Sequence, residues 1–463
     1  MTYFVRHASL LWVLIVFFCL FFVGTATQEG MQSRNFLSIL SLPALVFLLI
    51  FQKNWNDYKS SKFLGGILGV IIFVLIFQLL PLGEPFISKA DPRLNYISEA
   101  AILGFTPGRG ISLDPLATLH GINLLILLLA VWLAFARLGE KRGPIAQAVI
   151  VVLTLSACCM GAAATLLQNE GHFLWVTYNK GALTGPFANG NHMATLLCIG
   201  LAYAVCGVIR NSNRHSESLH AKAFQLAHVL FGVGVLSCIL MTGSRAGLAI
   251  AIAIIVLIAG LQKRSWRRTV SNGLFLGVLV FGIVLPVSYI GLAVMGITPE
   301  INNGVIGSVN YMERIEMWVT ALPMLKDHLP FGVGIGAFED TFPFYENDAI
   351  LSRKFINELH SDILQIIIEG GLPLFGIYVW SIVYFSKTMR QHFQKDQLFV
   401  SYKTPAGLAC LVVFAHSFVD YPARTWLIAA VFTVCLVVFL SNKVTYSSRL
   451  SKASDFKFKA VEL

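Results

Sequence analysis

Residues 246–268 read AGLAIAIAIIVLIAGLQKRSWRR. The stretch 246–262 carries no charged side chain and ends against Lys263, Arg264, Arg267 and Arg268. A helix that crosses a bilayer needs about 20 largely apolar residues, and Lys and Arg crowd the cytoplasmic connections. The passage therefore reads as a membrane span that ends in the cytoplasm. Thr242-Gly-Ser-Arg-Ala-Gly247 joins it to another apolar run, 223–242, through a turn too short to leave the opposite membrane face.

The same reading extends along the chain. Apolar segments recur at 8–27, 36–52, 63–82, 118–136, 145–167 and 191–209, then at 223–242, 246–262, 273–297, 363–385, 405–420 and 425–441. Of the 463 residues, 56% are hydrophobic and 13% charged, against about 25% charged in soluble domains. With the segments alternating in direction, 23 of the 34 basic residues and only 6 of the 24 acids fall on one face. That face is the cytoplasm, and both termini lie there. The net charge of +10 follows from basic loops and implies no nucleic-acid partner. Met1–His7 leads into an apolar run that is open to two readings, a cleaved signal peptide or a retained first span, and the lack of a clear small-x-small site favours the second. All eight cysteines lie in apolar segments, so neither disulfides nor cysteine-ligated zinc are expected.

The expected fold is an all-α integral membrane bundle of about twelve transmembrane helices. Residues 1–297 hold spans one to nine, 298–362 a large outer loop, 363–441 spans ten to twelve, and 442–463 a cytoplasmic tail. In the large loop, Asn310 with Glu313 reads as a capping box. Ile315, Val319 and Leu322 then recur at helical spacing until Pro323 stops the run, which predicts a short helix at the membrane surface.

Polar groups beside spans are costly and are candidates for function. They gather at the outer ends. Thr184-Gly-Pro-Phe-Ala-Asn-Gly-Asn-His192 enters the sixth span, and simple capping by Asn191 explains it as well as function does. Arg245 stands between Gly243 and Gly247, where small residues let an anion approach the backbone. Arg314 lies on the surface helix. Pro330-Phe-Gly-Val-Gly-Ile-Gly-Ala-Phe338 lacks the strand–turn–helix context of a nucleotide loop and reads as a flexible turn near substrate. Glu358, Asp362, Gln365 and Glu369 share one helical face. His360 would point about 200° away from Glu358 on a continuous helix, so the histidine joins the acidic stripe only if the helix begins or kinks near Ser361. His416 and Asp420 are four apart and read as an intrahelical pair, with Arg424 at the surface beyond. The histidines share no metal-ligand spacing, and no cofactor motif is present.

These clusters, in this order, resemble the O-antigen ligase and polysaccharide polymerase superfamily of bacterial envelopes. Gly185–His192 looks like its Phe-x-Asn-x-Asn-His segment, and Gly243–Gly247 like its Ser-Arg-x-Gly turn. Arg314 with Trp318 looks like its Arg-x-x-x-Trp, and Gly332–Phe338 like its Gly-x-Gly-x-x-x-Phe. His360-Ser-Asp362 with Gln365 and Glu369-Gly370 looks like its His-Asn-x-x-Leu-Gln-x-x-x-Glu-x-Gly, and His416–Pro422 like its His-Ser-x-x-Asp-x-Pro. The resemblance covers about residues 180–425. Ser361 departs from the usual asparagine, and Ile363 from a frequent aromatic.

The resemblance implies a GT-C-type glycosyltransferase of the bacterial inner membrane with a periplasmic active site. It would join an undecaprenyl-diphosphate-linked glycan to an acceptor hydroxyl, on lipid A core or on another glycan, with inversion and without metal or other cofactor. Arg245 and Arg314 would hold the diphosphate and His360 would act on the acceptor. Asn191, His192, Asp362, Gln365, Glu369 and Arg424 would bind substrate, with Glu369 and Asp420 supporting the site from within. Ligase and polymerase remain open on these residues. A polysaccharide flippase or proton-coupled transporter is the alternative from another class. Against it stand the absence of two related halves and the crowding of polar groups at the outer face.

Overall fold

The computed structural model describes residues 2–23, 41–47, 49–50, 59–81, 110–167, 172–173, 176–177, 183–212, 219–262, 311–346, 356–394 and 398–441. Among the described residues, apart from a two-residue ladder, His172–Phe173 against Val176–Thr177, the regular structure is helical. The main helices are α1 (Thr2–Val23), α2 (Lys59–Leu79), α3 (Pro115–Arg137), α4 (Arg142–Leu167), α5 (Gly190–Ser212) and α6 (Leu219–Met241). They continue with α7 (Arg245–Gln262), α8 (Tyr311–His328), α9 (Asp362–Phe393), α10 (Lys403–His416) and α11 (Trp426–Leu440).

Among the described residues, six helices are long and apolar enough to cross a membrane, and four shorter apolar helices accompany them. This is a helical integral membrane protein. Of the twelve expected spans, 273–297 lies outside the described residues, and 36–52 is described only over 41–47 and 49–50. Residues 442–463 and the expected cap at Asn310 also lie outside. Large apolar side chains on the rim helices face outward, among them Phe18, Leu230, Val256 and Trp380. A soluble protein would bury them; here they fit a hydrocarbon surround.

The bundle is built around α5, whose Leu196, Leu197, Cys198 and Ile199 are fully buried. Small residues let its neighbours approach. A Cβ on Gly247 would come within 2.4 Å of Ala194 Cβ, and one on Gly207 within 2.0 Å of the His228 ring. Toward the basic ends of these helices, Arg210 donates to Gln147, which contacts His228 at 3.0 Å, and the guanidinium lies 4.2 Å over the Tyr402 ring. At the N-terminus of α3, Asp114 accepts from the amides of Leu116 and Ala117, with Pro115 in the first turn.

Helix α8 runs through Pro323 to His328, so the expected stop does not occur. Proline removes one internal hydrogen bond. The inward face, Met317, Ala321 and Met324, compensates by packing with Phe338, Phe342 and Leu359. Val319 and Leu322 point outward instead.

The glycine-rich segment is not a loose turn. Helix α9 breaks at Gly371 (φ 63°, ψ −162°), just before Pro373, in a region open essentially only to glycine. The break frees the carbonyls of Ile368 and Glu369, and Val333 N and Gly334 N donate to them at 3.0 Å each. Leu372 N returns a bond to Pro330 O at 2.8 Å. Gly332, at φ 78°, leaves no room for a side chain, since a Cβ would lie 2.4 Å from Glu369 O. Gln78 at the end of α2 locks the splice. Its amide donates to Phe331 O at 2.9 Å and to Glu369 O at 2.8 Å, and accepts from Ile335 N at 3.2 Å. Glu369 O keeps a donor without it, whereas Phe331 O and Ile335 N lose this one. Gln78→Leu is therefore expected to cost about 2 kcal/mol, read as a lowered Tm of the detergent-purified protein.

Candidate active site

His360 closes a short extended segment before α9. Trp318 Nε1 donates to Leu359 O at 2.8 Å, and Leu359 N donates to Gln365 Oε1 at 3.0 Å. These bonds hold His360 at φ 55°, a conformation that costs a non-glycine residue about 1–3 kcal/mol and persists only where its surroundings impose it. Ser361 then caps α9 by accepting from Leu364 N. The helix break required for His360 to join the acidic stripe is present at the expected place.

The partner of His360 is Asp420. Helix α10 ends at His416, and the chain turns through 417–420. His416 and Asp420 are thus not a pair on one helical face. The His416 Nδ1 atom instead meets Thr195 Oγ1 at 2.7 Å. Asp362 N donates to Ser417 O and Asp420 O at 3.1 and 3.2 Å, which ties the start of α9 to this turn. The Asp420 carboxylate then gathers groups from distant parts of the chain. Its Oδ1 lies 3.3 Å from His360 Nδ1, 2.9 Å from Tyr421 N and 3.9 Å from His192 Nε2. Its Oδ2 accepts from Asn191 Nδ2 and lies 3.8 Å from Arg314 Nη2.

Burial alone would raise the Asp420 carboxyl. The hydrogen bond from His360 and the charges of Arg314 and His360 outweigh it and hold the group well below the usual carboxylate range. When His360 is neutral, an ionised Asp420 keeps its single ring proton on Nδ1 and leaves Nε2 as an acceptor. Arg314 also donates to Val419 O.

Asn191, a residue that capping alone would have explained, is part of this hub. Asn189 takes the capping role by accepting from Asn191 N at 2.9 Å. Asn191 Oδ1 accepts from Ser244 Oγ at 2.6 Å, and Ser244 Oγ accepts from Gly247 N at 3.0 Å. The Asn-Gly-Asn-His segment, the Ser-Arg-Ala-Gly turn, the Arg314 helix and the His360 segment therefore converge on one carboxylate. Arg245, next to Ser244, begins α7 with its side chain exposed. His192 packs edge-on against Tyr421, with ring centroids 4.7 Å apart.

A second knot forms around Arg424, in a 3-10 turn before α11. Its two terminal nitrogens donate to Glu369 Oε1 and Oε2 at 3.1 and 2.8 Å. Its Nε lies 3.5 Å from Glu358 and 3.8 Å from Asp362. Gln365 Nε2 bridges Glu358 and Glu369. Asp362 Oδ2 accepts from Ser417 Oγ at 2.7 Å and Ala423 N at 3.2 Å. Asp362, Gln365 and Glu369 are buried, whereas the side chains of His360, Glu358 and Arg424 keep 15, 16 and 20% of their surface open. Among the described residues, no group of His, Cys, Asp or Glu is arranged to hold a metal ion.

The sequence does not single out Ser244, Ser417 or Tyr421. Ser244 and Tyr421 flank Arg245 and Asp420, whereas Ser417 follows His416, which reads there as half of an intrahelical pair. Glu358, expected on the acidic helical face, precedes the helix, which begins at Asp362.

A search of the curated proteins finds no match. Residues 229–379 match the family model described as O-antigen ligase. Arg245, Arg314, His360, Gln365 and Glu369 fall within that stretch, and Asn191, Asp420 and Arg424 are bonded to it from either side. Over that stretch the match supports the resemblance to the O-antigen ligase and polysaccharide polymerase superfamily.

Proposed function

We propose that the protein transfers a glycan from undecaprenyl diphosphate to an acceptor hydroxyl, as a ligase or a repeat-unit polymerase, at the periplasmic face of the inner membrane. The observation that carries this reading is the His360–Asp420 dyad, in which Nδ1 lies 3.3 Å from the carboxylate and the His360 side chain stays 15% exposed. The acceptor hydroxyl gives its proton to His360 Nε2 as its oxygen attacks the anomeric carbon. Asp420 stabilises the imidazolium that forms. The bond from that carbon to the diphosphate oxygen breaks, and undecaprenyl diphosphate leaves with the electron pair. Attack opposite the leaving group inverts the anomeric configuration.

Arg245 is the best-placed group for the diphosphate, being exposed at a helix N-terminus where anions are favoured. Arg314 is partly committed to Asp420 and Val419 O, and adds positive potential from within. The reading is tested by reconstituting the protein with a lipid-diphosphate glycan and candidate acceptors in chelator. A new glycosidic bond supports it; movement of the glycan across the bilayer with no new bond sinks it and favours transport.

In the same assay Arg245→Lys is expected to lower kcat/KM for the donor about tenfold to a hundredfold. Lysine keeps the charge but loses the bidentate geometry, and a charged hydrogen bond is worth about 1.5–3 kcal/mol.

A further inference from the structure

The acids around Arg424 outnumber the charge that meets them. Glu358, Asp362 and Glu369 all lie within 4 Å of one guanidinium, at 3.5, 3.8 and 2.8 Å. If every carboxyl were ionised, the knot would carry two uncompensated negative charges in a site largely closed to water. Such a site takes up a proton instead.

The hydrogen bonds indicate which carboxyl holds it. Glu369 has both terminal nitrogens of Arg424, and Asp362 has the Ser417 hydroxyl and the Ala423 amide. Each set favours an ionised acid; burial raises Asp362 too, to about 6, but less far than it raises Glu358. Among the described residues, Glu358 has only the Gln365 amide and the more distant Nε. Burial pushes the Glu358 carboxyl up to about 7, against the lowering pull of Arg424 and with the repulsion of Glu369 and Asp362. The groups that face it are these three and Tyr421.

Glu358 is also the acid of the knot most open to a ligand. It is 16% exposed, against 4% for Asp362 and 3% for Glu369. It stands two residues before His360, and the Tyr421 ring lies 5.0 Å from the His360 ring. We propose that Glu358 is a neutral carboxylic acid that donates a hydrogen bond to an oxygen of the acceptor sugar and so positions the attacking hydroxyl against His360. This rests on the reading of His360 as the base. A carboxyl held neutral in order to donate is an established device of enzyme sites. The raised value also means that this group's contribution to stability is complete at acid pH and is lost as pH rises through about 7.

The test compares the full-length protein with Glu358→Gln and Glu358→Ala in the reconstituted assay, between pH 6 and 9. In the parent, the rate is expected to fall about tenfold per pH unit above about pH 7, as the neutral form is lost. In Glu358→Gln, whose amide donates at any pH, that decline should vanish, with the rate at pH 6 lowered a few-fold. In Glu358→Ala, KM for the acceptor should rise about tenfold at pH 6, the equivalent of about 1.4 kcal/mol. The infrared difference between the parent and Glu358→Gln at pH 6 should show the protonated-carboxyl band of Glu358, whether or not substrate is present.

An alkaline decline that persists in Glu358→Gln, or a Gln variant as impaired as Ala, overturns the proposal. So does the absence of the carboxyl band. Activity that survives His360→Ala overturns instead the reading on which it rests.

Discussion

Asp420→Asn is expected to lower the transfer rate about a thousandfold while the protein stays folded and binds its donor. Asparagine has the size of aspartate, so the turn between α10 and the 3-10 segment can keep its shape. The charge that fixes the His360 proton on Nδ1 is lost. An asparagine amide can turn its NH2 toward Nδ1, which then accepts, and the proton moves to Nε2, where an acceptor is needed. General-base catalysis is worth about 10²–10⁴ in rate, and His360→Ala should fall in the same range. Because the two residues act as one unit, the double variant should be about as slow as His360→Ala alone. Losses that simply multiply would mean that Asp420 acts on something other than His360. Its contacts with Asn191 and Arg314 supply a control. Asn191→Ala removes a donor to Asp420 without touching the dyad, and should cost much less than Asp420→Asn. Single-turnover rates at saturating donor separate these effects from donor affinity.

Much of this site was legible in the sequence because its residues sit at helix ends. Ends are marked by breaks in hydropathy and by residues that cap or turn. The wheel argument about His360 is an example: His360 and the acids can share one cavity only if the helix starts or kinks near Ser361, and the helix does begin at Asp362 with Ser361 as its cap. The same logic failed for His416 and Asp420. A four-residue spacing looks helical, but the helix stops between them, and each side chain finds a partner on another helix. Pro323 misled for a related reason. Local propensity disfavours the helix there, and packing on Phe338 and Phe342 overrides it. Gln78 carried no signal. A lone polar residue at the end of an apolar run looks like an interfacial anchor, and its role depends on a helix break almost 300 positions away. The glycine-rich segment looks loose in the sequence because glycine permits many conformations. Here those glycines admit a close approach between two backbones, and the result is tightly bonded.

Arg424→Met is expected to be the most destabilising single change at the site, by about 3–5 kcal/mol, the range for removing one partner of a buried ion pair. The cost comes less from the lost attraction than from what is left behind. Glu369 loses two hydrogen bonds, at 3.1 and 2.8 Å, and Asp362 and Glu358 lose the only cation within 4 Å that the described residues give them. Arg424→Lys should rescue little, because an ammonium cannot meet both oxygens of Glu369 while it also faces Glu358 and Asp362. Arg424→Met combined with Glu369→Met removes the pair together and replaces it with apolar volume. It should recover much of the loss, since an apolar replacement of a buried pair is often neutral. The Tm of each variant in detergent measures this, and pH provides a second axis. Without Arg424 the surplus negative charge can be relieved only by protons, so the deficit of Arg424→Met should shrink as pH falls from 8 to 6. A deficit independent of pH, or a double variant no more stable than the single, would show that Arg424 serves the glycan directly and is not the counter-ion that holds the acids in place.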